Sequence, residues 1–354
     1  MKLGLALDYA APRLSIPLQL VQLAESLGFH SVWSAEAYGS DALSPLAYLA
    51  AVTRHIKLGT SVAQVSARAP AVLAMHLATI DQLAGDDRVI GGLGLSGPQV
   101  VEGWHGSSWA HPGARLRDTV AIMRKVLARE GPVTHRGKAI SLPYAAQDSS
   151  GHGKPLKSIL HGNPALPLWL GTGSEANVAL TAEVADGWLP MGFCPGMMSL
   201  YEPWLQRGVA RRDDGKTLAE LEVFASVQVD LTDDVRGAIE QRKVLAGTYV
   251  GGMGVQGKNF HADQMARRGF SQEAQRIQEL FRAGRVEEAI AAVPDEYIEQ
   301  TTLVGPPDRI RAQFQCWEGS GASGMILHLG QGDHGAMVQL MADISGAQPL
   351  EVPR

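Results

Sequence analysis

The sequence predicts an α/β fold, a (β/α)8 barrel, on two observations. Twice an apolar strand runs into closely spaced glycines and then into a helix. The first such segment is Val89-Ile90-Gly91-Gly92-Leu93-Gly94-Leu95-Ser96-Gly97. The second is Leu168-Trp169-Leu170-Gly171-Thr172-Gly173-Ser174, followed by the helical run Glu175 to Val184. Glycine lets a backbone come close to a bulky ligand, and a helix N-terminus offers unpaired N–H groups to a phosphate. The other observation is a steady alternation of strand and helix patterns along the 354 residues, the rhythm of a parallel sheet. One glycine segment alone would suit a dinucleotide fold; two of them suggest a barrel with a cofactor laid across its mouth.

Each element follows from local pattern. Leu3 to Leu7 is a short buried strand, and Ser15 is placed to cap a helix with Pro17 in its first turn. Leu20, Val21, Leu23, Ala24 and Leu27 form that helix's apolar face, and Gly28 ends it. Ser31 to Ala35 is the second strand; Ser44-Pro45 opens a helix to about Arg54. Ile56 to Val62 is the third strand, Pro70 to Leu83 the third helix and Arg88 to Leu95 the fourth strand. After a helix at Leu116–Arg129 the rhythm breaks. Pro132 to Pro164 is rich in Gly, Pro, Ser and His and reads as an insertion with a strand-like Ala139 to Leu142. Units five and six resume at Pro167 and Asp186; Glu222 to Asp230 and Met325 to Leu329 supply the last two strands. Between them, about Tyr249 to Thr302 carries Gly251-Gly252-Met253-Gly254 and two helical runs, which make it a lid or subdomain of a single-domain chain spanning 1–354.

Composition narrows the function. Hydrophobic residues make up 45% and charged residues 19%, enough for a sizeable core. A net charge of −5 gives no general attraction to nucleic acid or to an anionic membrane. Two cysteines, Cys194 and Cys316, form neither a disulfide framework nor a metal spacing. Asp8 interrupts the apolar N-terminus too early for a signal peptide, and no run approaches the roughly 18 apolar residues of a membrane span. The expectation is a soluble cytoplasmic protein without a metal.

Several residues invite a functional reading. Gly92-x-Gly94-x-x-Gly97 matches the dinucleotide fingerprint, but no acidic residue follows at the distance that holds a ribose. These glycines read better as barrel loops. Leu58-Gly59-Thr60-Ser61-Val62-Ala63 ends in small residues that can form a shelf for a flat ring. Asp8, Glu36 and Asp41 lie at or just past the ends of strands one and two, where a barrel presents catalytic groups. His105, in Glu102-Gly103-Trp104-His105-Gly106, is placed to exchange a proton, and Trp104 to wall an aromatic pocket. Asp233-Asp234 and Arg211 to Asp214 read as solvated helix ends.

Taken together, these segments resemble the luciferase-like monooxygenase superfamily, in particular its branch using the deazaflavin coenzyme F420. The matching pieces are Lys2-Leu3-Gly4-Leu5, Ala35-Glu36-Ala37-Tyr38-Gly39-Ser40-Asp41, Leu58 to Val62, Gly92 to Gln99, Glu102 to Gly106 and Glu183-Val184-Ala185-Asp186-Gly187-Trp188, with the late Gly251 to Gly254 run. They fall in the family's order along nearly the whole chain.

The resemblance implies a barrel of the bacterial-luciferase type, usually a homodimer, with the deazaflavin at its C-terminal mouth. It implies a non-proline cis peptide at Ser61–Val62 against the ring. Phosphate-side contacts carry over to the loop Gly171, Thr172, Gly173 and Ser174, while Gly94, Ser96 and Gly97 line ring or tail, with Asp8 nearby. Glu36 aligns with the family's acidic member and becomes the first proton-handling candidate, His105 the second. The pattern also departs from the branch's sugar-phosphate dehydrogenases. Ala37 stands where they carry a histidine, and Pro98-Gln99 lies near their glutamate. The implied activity is hydride transfer between F420 and a small organic substrate. The alternatives are an FMN-dependent monooxygenase needing oxygen and a partner reductase, and a non-catalytic deazaflavin or flavin binder.

Overall fold

The computed structural model describes residues 1–253 and 259–349; Gly254 of the late glycine run lies outside them. Eight parallel strands close into a barrel: β1 (Lys2–Ala6), β2 (Ser31–Ser34), β3 (Lys57–Thr60), β5 (Val89–Gly94), β8 (Leu168–Gly171), β9 (Gly187–Trp188), β10 (Glu222–Leu231) and β12 (Gly324–Leu329). β10 pairs with both β9 and β12, and β12 pairs with β1, which completes the ring. Helices on the outside include α1 (Leu18–Ser26), α2 (Ser44–Val52), α3 (Pro70–Ala84), α4 (Pro98–Gly103), α5 (Pro112–Ala128), α6 (Glu175–Val184) and α7 (Met198–Val209). The chain ends with α13 (Pro307–Gln315) and α14 (His334–Ser345).

The strands are short and apolar because the helices cover one side and the barrel interior the other. α3 shows how boundaries arise. Pro70 starts it, where a missing N–H costs nothing, and Gly85 ends it in the left-handed region at φ 96°. α1 departs from expectation. It begins at Leu18 with Pro17 at the cap position, and Ser15 makes no capping bond. Gly28 does lie just past its end, at φ 82°.

The third strand is shorter than its apolar run. β3 stops at Thr60, the Ser61–Val62 peptide is cis, and a separate short strand β4 (Ala63–Gln64) pairs with β5. The 132–164 region contains one small hairpin, β6 (His135–Arg136) against β7 (Ser141–Leu142).

The later insertion differs more. α8 (Val235–Gly252) runs unbroken past Tyr249, and among the described residues four helices follow: α9 (Phe260–Arg267), α10 (Ser271–Arg282), α11 (Val286–Ala291) and α12 (Asp295–Glu299). They share their own apolar core with α8, built on Ile239, Val250, Met265, Ile277 and Leu280. The chain then returns as a strand absent from the sequence reading, β11 (Thr302–Gly305), parallel to the C-terminal half of β10. β10 is ten residues long, so its first half bonds β9 and its second half bonds β11.

Arg212 corrects another expectation. Its side chain is largely buried and donates to the carbonyls of Ala182 and Ala185, satisfying the last turn of α6. Asp234 caps α8, accepting from Gly237 N–H at 2.9 Å.

Candidate active site

Side chains alternate along a strand, so one anchored residue tells which others face inward. Trp33, Ile90, Trp169, Leu189, Phe224 and Ile326 pack together as one buried cluster inside the barrel, with Ala6 and Val62 against it. Three rings of the cluster are in mutual contact, Trp169 and Phe224 edge to face at 4.9 Å. This aromatic floor closes the N-terminal part of the barrel. One step toward the C-terminal mouth, the same alternation points Asp8, Gly94, Gly171, Ser226, Gln228 and His328 inward.

Val62 occupies the centre of one wall. A Cβ on Gly94 would strike its Cγ2, and a Cβ on Gly171 would lie 2.8 Å from its Cγ1. Glycine at both positions thus leaves Val62 standing clear as a shelf. Glu36 fixes the backbone beyond that shelf. Its Oε1 accepts from Gln64 N–H at 2.8 Å and from Arg68, its Oε2 from Ala42 N–H at 3.0 Å and Arg68 Nη2 at 2.8 Å. Gln64 Nε2 returns to the Glu36 carbonyl at 3.0 Å. Burial pushes the Glu36 carboxyl up, but Arg68 and the two backbone donors outweigh it and hold the group below the usual carboxylate range. Asp41 is engaged locally, accepting from the N–H groups of Leu43 and Ser44 at the start of α2. The exposed Asp8 accepts from Ala10 N–H at 2.9 Å.

The Gly171–Ser174 loop leads into the N-terminus of α6, with Ser174 in the cap position and its side chain making no cap bond. Thr172 turns away. Its hydroxyl bonds Thr181 at 2.7 Å and its carbonyl accepts from Trp188 Nε1 at 3.0 Å, so it braces the loop from behind. Gly173 is open: among the described residues no atom lies within 4 Å of a Cβ placed there. Arg267, the last residue of α9, donates to the Gly173 carbonyl at 2.6 Å. A cation from the insertion thus stands beside this helix N-terminus.

His105 bonds Ser66 Oγ through Nδ1 at 3.0 Å. Ser66 in turn lines a small recess with Leu95, Ser96 and Val101. Gly97 caps the six-residue α4. Trp104 is 68% exposed.

The opposite wall was not found from the sequence. Gln228 and His328 are register partners on β10 and β12. Arg242 of α8 reaches in from the insertion, its Nε donating to Asp230 Oδ2 at 2.5 Å and its Nη1 to Gln228 Oε1 at 2.7 Å. Asp230 also accepts from Gln331 N–H at 2.6 Å. Burial, then Arg242, pushes the His328 imidazole down to about 4. One polar residue within the apolar run Met325-Ile326-Leu327-His328-Leu329 was the available signal. Tyr9, whose phenol burial and the neighbouring Tyr249 push up, lies at the same end of the barrel.

The arrangement can hold a flat apolar ring on Val62, an anionic tail near Gly173, and a small polar molecule by Gln228 and His328. The family model for luciferase-like monooxygenases matches residues 2–324. A Mycobacterium tuberculosis protein, Rv3520c, is 43% identical over 335 residues, covering 94% of this chain and 96% of that one; its own assignment as a coenzyme F420-dependent oxidoreductase is provisional. Among solved structures, the coenzyme F420-dependent tetrahydromethanopterin reductase from Methanopyrus kandleri aligns with TM-score 0.74 at 21% identity, over 98% of this chain and 99% of that one. An F420-dependent secondary alcohol dehydrogenase, solved with an F420–acetone adduct, aligns with TM-score 0.74 at 16% identity over 98% of each chain. At those identities the structures speak for the shared barrel. Sequence and fold together make this chain a member of the luciferase-like monooxygenase family.

Proposed function

We propose that this enzyme is a coenzyme F420-dependent oxidoreductase that moves a hydride between the deazaflavin and a small organic substrate. The observation that carries the reading is the Val62 shelf, bared by Gly94 and Gly171 and continued by the open Gly173 loop with Arg267 beside it. The donor set suits the group: an apolar face for a fused ring, and N–H groups plus a guanidinium for a phosphate. The 43% identity to Rv3520c supports the same cofactor.

When bound, the deazaflavin supplies the redox chemistry, giving or taking a hydride at C5. The chain supplies placement. Val62 backs the ring, Gly94 and Gly171 leave room for it, and Gly173, Ser174 and Arg267 hold the phosphate side. Ser96 and Gly97 border the same mouth. Holding two reactants within about 3–3.5 Å is itself worth several kcal/mol of barrier.

Glu36 takes a different part from that of an acid–base catalyst. Its oxygens are filled by four donors, which leaves no ready position for a substrate proton. We assign it to positioning the Val62 shelf through Gln64. His105, held by Ser66, remains available for proton exchange at the edge of the mouth.

The helical insertion serves as the cap over the substrate side, and a cytoplasmic homodimer is the expected assembly. Tyr48 on α2 with Val72, Met75 and Leu83 on α3 give exposed apolar surface to a second copy. Among the described residues no helix is long and apolar enough to cross a membrane.

Paired titrations of the purified apo-protein with oxidised F420 and with FMN test the cofactor. Tight F420 binding with weak FMN binding is expected. The reverse preference would overturn the reading and direct the search to oxygen and a reductase partner.

A further inference from the structure

The wall formed by β10 and β12 has the makings of a substrate site. A guanidinium can only donate, so Arg242 Nη1, 2.7 Å from Gln228 Oε1, fixes the Gln228 amide with its oxygen toward Arg242. The amide nitrogen is then the end left to serve the mouth. Asp230 holds Arg242 in turn, and Asp230 is itself buried and tied to Gln331 N–H. Beside Gln228, its register partner His328 faces the same interior, and among the described residues it takes part in no ion pair. An imidazole brings one N–H donor and one acceptor nitrogen. Below both lie Phe224 and Ile326, part of the apolar floor.

We propose that Gln228 and His328 form the substrate-oxygen site, and that it selects small neutral alcohols, ketones or enones over carboxylates and phosphate esters. The inference rests on the F420 reading given above. Its charge logic is local. Arg242 is the cation that acts on His328, and its charge is balanced by the buried Asp230 carboxylate while one Nη1 donor is held by Gln228. An anion placed here would meet an amide and a neutral ring, with Asp8 exposed at the adjoining end of β1. Burying a charge without a partner is costly, whereas a hydroxyl or carbonyl oxygen needs only the hydrogen bonds that an amide N–H and an imidazole supply. The hydrocarbon body of such a substrate has Phe224 and Ile326 to rest on.

The test is ligand-observed NMR on the F420-loaded protein, with 2-propanol, cyclohexanol and cyclohex-2-enone as neutral probes and lactate and glucose 6-phosphate as anionic ones. F420 fluorescence titration of each variant runs alongside. The neutral probes are expected to bind and the anions not. Gln228→Leu and His328→Phe should each weaken binding of neutral probes about tenfold while leaving F420 affinity within about twofold. Arg242→Lys, which keeps the charge but loses the paired donors, should weaken the neutral probes in the same sense, since it frees the Gln228 amide to turn. Preferential binding of the anions, no binding of any neutral probe, or unchanged probe binding in both variants would overturn the proposal. A wild-type protein that fails to bind F420 would instead overturn the cofactor reading.

Discussion

Glu36 and Arg68 face each other as a two-pronged ion pair, Nη1 on Oε1 at 2.5 Å and Nη2 on Oε2 at 2.8 Å, with both side chains mostly buried. The pair binds the loop after β2 to the segment that follows the Val62 shelf. A carboxylate held this way is why we propose a positioning role for Glu36.

Replacing Glu36 by Gln puts an N–H donor where one carboxylate oxygen accepts, and leaves Arg68 with only the Asp41 carboxylate, 4.0 Å away, as counter-charge. We expect a loss of about 2–4 kcal/mol in stability, read as a lower urea midpoint. F420 affinity and turnover should fall together, because the shelf moves. A variant of wild-type stability and affinity with turnover reduced a hundredfold would return Glu36 to the proton-handling role.

Gly173→Ala separates ligand contact from folding. Its added methyl meets no described protein atom within 4 Å, so the urea midpoint should hardly move. F420 affinity should drop at least tenfold, about 1.4 kcal/mol, because the methyl would stand where the phosphate approaches. Undiminished affinity would place the phosphate elsewhere.

Arg267→Ala removes both the bond to the Gly173 carbonyl and the guanidinium near the Trp204 ring, 5.9 Å from its centroid. The expected result is roughly tenfold weaker F420 binding, with little change for the phosphate-free deazaflavin riboside. Equal losses for both ligands would mean that Arg267 shapes the loop without touching the phosphate.

Acid should destabilise the fold through His30. Burial first, then Lys2 and Lys57, pushes its imidazole down to about 4, against about 6.5 in an unfolded chain. Between those values the unfolded state binds the extra proton. The associated stability is therefore fully present above about pH 6.5 and is lost as pH falls toward 4. His328 contributes in the same direction, and Glu36, Asp186 and Glu222, all held below their ordinary range, extend the loss to lower pH. Urea midpoints for His30→Gln should show a shallower slope between pH 6.5 and 4 than the parent; an identical slope would remove His30 as a source.

What could be read from the sequence was whatever has a strong local cause. α6 lies where its pattern put it, Glu175 to Val184, because the glycines before it end the strand, Ser174 takes the cap position and good helix formers follow. The Ser61–Val62 cis peptide came from family resemblance; no local propensity announces it. β11 was missed since Thr302-Leu303-Val304-Gly305 is only four residues long, and its partner is fixed by tertiary packing. Glu36 stands out in the sequence but its partner does not, because Arg68 lies thirty-two positions on and meets it only in the folded barrel. Arg242, Asp230 and Gln228 come together only once α8 folds against β10, so their chain of bonds has no signature in spacing.

The split pairing of β10 has a consequence for amide exchange. The Gln228 N–H donates to Thr301 at 3.0 Å and the Thr232 N–H to Gly305 at 3.2 Å, both at the far end of the helical insertion. Protection of these two protons against deuterium therefore depends on that insertion staying docked, whereas Val223 N–H, lower on the same strand and bonded to Ser323 Oγ, stays protected by the barrel alone. A single strand thus carries an internal clock for the insertion and a reference for the barrel, a few residues apart.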